Sequence, residues 1–115
     1  MNQIERRVNV KLVGQKGKAG DRIVLCSGPI IKKFRGMQLF VGGAASNICQ
    51  LFVDGKPCMP SLPEGILGVP SVVFGSVAFG NELTLPACPA GKEIKLEVVL
   101  DVDGEVEAHL LGEAA

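Results

Sequence analysis

The chain has 115 residues, 47% of them hydrophobic and 21% charged, and a formal net charge of zero. That length holds one core and excludes a second, and that composition excludes a disordered chain. The charge is sorted by position: residues 1–57 carry ten of the twelve Lys/Arg and three of the twelve Asp/Glu, while residues 58–115 carry two and nine. Two poles of +7 and −7 favour pairing of the chain's ends, within one molecule or between copies.

Strand signals dominate. The opening, MNQIERRVNV, has no continuous apolar run, so no secretory leader is expected there. Val8, Val10 and Leu12 then alternate with Arg7, Asn9 and Lys11, the period of a strand with one buried face. The glycine-rich run 14–20 reads as a polar turn, followed by strands over 22–27, 34–41 and 47–53. Asp54-Gly55 is a hairpin dipeptide. Residues 43–48 are the one helix candidate, a single turn at most. Residues 57–70 hold four prolines and read as an irregular loop. Further short strands are expected over 72–79 and 82–85, punctuated by Gly75, Gly80 and Asn81.

At the C-terminal end, Ile94, Leu96, Val98 and Leu100 alternate with Lys95, Glu97, Val99 and Asp101, and Val106, Ala108 and Leu110 alternate with Glu105, Glu107 and His109. A three-residue turn over 102–104 would pair Leu100 with Val106 and keep both apolar rows on one face, with Gly104 as a left-handed bulge. In that hairpin, Glu97, Asp101, Glu105 and Glu107 form an outward acidic comb. Seven to eight short strands with little or no helix predict an all-β, single-domain antiparallel sandwich or barrel, jelly-roll-like. Such a topology sets the basic first strand beside the acidic last one.

Few residues suggest chemistry. His109 is the only histidine, on a polar strand face among glutamates and without a nearby nucleophile in sequence. Four cysteines (Cys26, Cys49, Cys58, Cys88) lack the paired spacing of a metal site and read as buried thiols, with Cys49 and Cys58 close enough to bridge a hairpin. Gly42-Gly43-Ala44-Ala45-Ser46 has no following Gly-Lys-Ser/Thr to cradle a phosphate. The absence of Trp and Tyr speaks against sugar stacking. No catalytic residue, cofactor or metal is expected, and the longest near-apolar window, 65–79, is too short to cross a bilayer.

The run Cys49-Gln-Leu-Phe-Val-Asp-Gly-Lys-Pro-Cys58, the loop Pro63-Glu-Gly-Ile-Leu-Gly-Val-Pro70 and the stretch Leu85 to Val99 resemble small tailed-phage (bacteriophage) virion proteins of the capsid decoration, or cement, type. The resemblance covers about half of the chain. It implies a non-enzymatic β-sandwich or barrel made in the host cytoplasm, acting as an oligomer, a trimer by preference, on a larger protein shell.

Independently, the chain between Arg35 and Lys92 is almost uncharged, so apolar surface should remain for a partner. The expected self-association residues are Arg6, Arg7, Lys11 and Lys33 against Glu97, Asp101, Glu105 and Glu107, with Ile66, Leu67, Val69 and Phe74 supplying apolar contact. Two other readings stand beside this one: a cytoplasmic β-sandwich adaptor for a protein partner, and a nucleic-acid-binding barrel using the basic N-terminal half.

Overall fold

The computed structural model describes residues 7–58, 69, 70 and 85–114. Among these residues there are eight strands: β1 (Arg7–Gly17), β2 (Arg22–Cys26), β3 (Phe34–Gly43), β4 (Ser46–Val53), β5 (Lys56–Pro57), β6 (Val69–Pro70), β7 (Ile94–Leu100) and β8 (Gly104–Ala114). They form two antiparallel sheets. Sheet A has the order β1-β8-β3; sheet B has the order β2-β7-β4-β5, with β6 also paired to β4. No helix occurs among the described residues.

Alternation explains the layering. Leu12, Leu39, Val106, Ala108 and Leu110 of sheet A face Leu25, Ile48, Leu51, Leu96, Val98 and Leu100 of sheet B, all essentially inaccessible to solvent. Each such side chain contributes about 1.5–3 kcal/mol on burial, which locks the faces and hence the register. Phe34, Leu85 and Cys88 close one end, where Phe34 and Cys88 exchange backbone hydrogen bonds of 3.0 and 2.6 Å.

The first and last strands are neighbours, as the charge sorting anticipated: Arg7 stands across from Glu113 and Lys16 from Glu105. The Asp54-Gly55 hairpin is also present. Val53 pairs with Lys56, and φ is +53° at Asp54 and +78° at Gly55, the two left-handed residues of a type I′ turn.

Several expectations are corrected. β7 and β8 do not pair. Each is the central strand of its own sheet, flanked by β2 and β4 or by β1 and β3. Alternation specifies which face of a strand is buried, not which strand lies beside it, and two apolar rows can meet across a core as well as along a hairpin. Residues 101–103 therefore form a corner between sheets, and Gly104, at φ +150°, opens β8 instead of forming a hairpin bulge.

The glycine-rich turn begins later than expected. β1 runs on to Gly17 through a bulge between Leu12 and Gln15, which bends it toward β2, where Gln15 Nε2 donates to the Val24 carbonyl at 2.6 Å. The helix candidate over 43–48 is instead the end of β3 and the start of β4. Gly43 sits at φ +91°, and a β-carbon there would run into the Glu105 carbonyl oxygen. The proline-rich segment is strand at its borders, with Pro57 in β5 and Val69 and Pro70 in β6 along one edge of β4. Residues 59–68, and the strands expected at 72–79 and 82–84, lie outside the described residues; Leu85 is buried outside any strand.

Candidate interaction surface

Three of the links that carry the chain between sheets, 18–21, 44–45 and 101–103, meet at one end of the sandwich and are tied together there. Ala19 N–H donates to Asp103 Oδ1 (2.8 Å), Asn47 Nδ2 to Asp101 Oδ1 (2.6 Å) and Asp101 N–H to the Ala45 carbonyl (2.8 Å). Lys18 N–H donates to Asp21 Oδ2 at 2.8 Å. The aspartates at this end thus accept backbone or amide hydrogens and act as staples.

The acidic residues do not form one comb, because β7 and β8 lie in different sheets. Glu97 stands on the outer face of sheet B and pairs with Arg22 Nη1 at 3.1 Å. Asp101 is the staple just described. Glu105 and Glu107 are exposed on the outer face of sheet A, in register with Lys16 and Gly42. Glu113 lies between Arg7 and Arg35 in the strand register, and its Oε1 is 3.9 Å from Arg35 Nη2. In sheet A, charge sorted along the sequence has become charge sorted across the sheet: acids on central β8, bases on flanking β1 and β3. Like-signed neighbours are avoided by that arrangement.

Among the other expected residues, Lys11 lies on β1 across from His109, and Lys33 is exposed in the 27–33 loop. Val69 is in β6, aligned with Ile48. Arg6, Ile66, Leu67 and Phe74 fall outside the described residues.

Sequence reasoning missed three features. Arg22 pairs with Glu97 and Arg35 approaches Glu113, and neither Glu113 nor either arginine was among the residues the sequence singled out for association. The signal was available, since both alternate outward on strands. On the outer face of sheet A, Phe40 and His109 stack with ring centroids 5.0 Å apart and planes inclined by 24°. Met37 (47% exposed) and Val13 (62% exposed) also stand open to solvent on β3 and β1. The third feature is a groove of about 380 Å³ between β1 and the 27–33 loop.

None of the four cysteines is in a disulfide; Cys88 is buried and the others half-buried. Cys58 N–H donates to the Leu51 carbonyl at 2.8 Å, which sets Cys58 opposite Leu51 rather than Cys49. Burial pushes the thiols of Cys26, Cys49 and Cys88 above their ordinary pKa. Cys26 Sγ also donates to Glu93 Oε2 at 2.9 Å, and this bond, with Lys95 beside it, holds the Glu93 carboxyl below the usual range. Both shifts keep the proton on sulfur, opposite to the lowered pKa that an attacking cysteine needs. Among the described residues no group of three or more His, Cys, Asp or Glu is arranged to hold a metal ion.

No protein family, curated protein or solved structure matches this chain. The fold and the surface themselves define an antiparallel β-sandwich of jelly-roll-like connectivity, with a partly apolar outer sheet and an open groove.

Proposed function

We propose that the protein is a structural assembly component, a capsid decoration (cement) protein of a virion, which packs as an oligomer, a trimer by preference, on a larger protein shell. The observation that carries this reading is the outer face of sheet A. The Phe40–His109 stack, Met37 and Val13 give it apolar contact area. Glu105, Glu107 and Lys16 lie toward one end of that face, Arg35 and Glu113 toward the other. A face of this kind suits packing against a second protein surface. Apolar area supplies affinity, and the charges that flank it supply orientation. Exposed ion pairs are each worth only about 0–1 kcal/mol, so the stack should matter more than the charges. Multivalent attachment to a shell sums such modest contacts.

Replacing Phe40 with Glu tests the reading. Sedimentation velocity should give a smaller species for the variant than for the parent, with the same strand signature by circular dichroism. An unchanged sedimentation coefficient would remove sheet A from the assembly.

The adaptor reading retains one supporting observation, the groove beside β1, which has the dimensions of a ligand site.

A further inference from the structure

We propose that the groove between β1 and the 27–33 loop is a docking slot for an extended acidic peptide segment of a partner protein, which adds as a strand along the outer edge of β1. β1 is the terminal strand of sheet A, and over Val8–Leu12 it is paired only with β8. Its approach to β2 comes after the bulge, at Gln15. The opposite margin of β1, beside the loop, is therefore a sheet edge among the described residues, and sheet edges are templates for an added strand.

The groove's volume, about 380 Å³, lies in the range of ligand sites. Its chemistry has two sides. Val8 and Val10, half-buried, give it an apolar wall, and Ile31 stands 91% exposed at the loop. Lys11, Lys32 and Lys33 are exposed around it, and among the described residues no acidic one lines it.

An extended peptide turns successive side chains to opposite sides. One alternate set would meet Val8 and Val10, so it should be aliphatic. The other would meet the lysines, so it should be acidic. An exposed isoleucine between cationic side chains, beside an open groove, is otherwise a poorly solvated arrangement, and a bound chain would cover it. The proposal does not depend on the assembly reading, because a monomer can carry this slot.

The test uses the full-length protein and a fluorescein-labelled, acetylated peptide alternating glutamate with valine, followed by anisotropy at about 50 mM salt. Two controls accompany it: the same peptide with glutamine for glutamate, and one with alternate backbone nitrogens methylated, which cannot form the ladder. The protein variant is Lys32→Glu with Lys33→Glu; both positions are exposed in a loop, and circular dichroism verifies its fold. Saturable binding is expected, weakened by about tenfold or more in the variant, the loss of two exposed charge pairs, and weakened by each peptide change. Absence of binding, binding indifferent to the lysine changes, or equal binding of the methylated peptide would overturn the proposal. Tighter binding of a single-stranded oligonucleotide, lost in the same variant, would also overturn it and assign the lysines to nucleic acid.

Discussion

The two ends of the sandwich are built differently. At the end where 18–21, 44–45 and 101–103 meet, aspartate side chains accept hydrogens from backbone and amide groups of neighbouring loops, and Gly43 lies against the Glu105 carbonyl. At the opposite end, the 27–33 loop is held by backbone bonds, among them Ile30 N–H to Lys92 O and Gly91 N–H to Ile30 O. There Ile31, Lys32 and Lys33 remain in solvent. At the first end the aspartates hold the sheets together through their side chains, although Val102 stands 48% exposed there. At the second, no aspartate staples the loop among the described residues, and Ile31 stands 91% exposed beside two lysines.

The largest effect that would break this contrast is expected at Gly43. Gly43→Ala combines an unfavourable positive φ with a collision against backbone, and should cost about 1–3 kcal/mol or more; urea unfolding reads it directly. A midpoint unchanged from the parent would mean that the junction is not tightly packed. Asp101→Ala removes one staple and should cost about 0.5–1.5 kcal/mol, seen as a lower melting temperature. Ile31→Ser, at the open end, should leave stability within about 0.5 kcal/mol. A large loss there would mean that the loop is structural after all.

The smallest effects are pH-dependent. The Glu93 carboxyl is lowered in the folded state, so its contribution is present above the ordinary carboxylate range and disappears as pH falls through its folded value. The thiols of Cys26, Cys49 and Cys88 are raised, so their contribution is complete below the ordinary thiol value of 9.0 and disappears as pH rises through the higher folded values. Melting temperature against pH should therefore slope downward on the alkaline side. Replacing Cys26 with Ala should flatten part of that slope and part of the acidic limb together, because the thiol that titrates is also the donor to the Glu93 carboxylate.

Much of the architecture was legible in the residues. Val8, Val10 and Leu12, and later Ile94 to Leu100, carry a period of two that only a half-buried strand satisfies, and Asp54-Gly55 named its turn. The adjacency of first and last strands followed from charge and topology together. The β7–β8 relation was not legible. Leu96 and Leu110 are both wholly buried, and nothing in their spacing distinguishes neighbours in one sheet from partners across a core. The same ambiguity produced an acidic comb where there are two separate acidic faces. The Phe40–His109 stack joins residues 69 positions apart, so it depended on the β3–β8 register. The groove depended on where the 27–33 loop comes to rest, although Ile30-Ile31-Lys32-Lys33 after Gly28-Pro29 was a visible hint.

If copies associate through an apolar sheet face, with charge setting only their orientation, the assembly should survive the screening of charge. Native mass in reducing buffer, at about 50 mM and again at about 1 M salt, where charges are screened beyond ~3 Å, tests it most directly. An oligomer, a trimer by preference, is expected to persist at high salt. A monomer under both conditions would contradict it, and would mean that the charges pair only within the chain and that the sheet A face does not hold copies together.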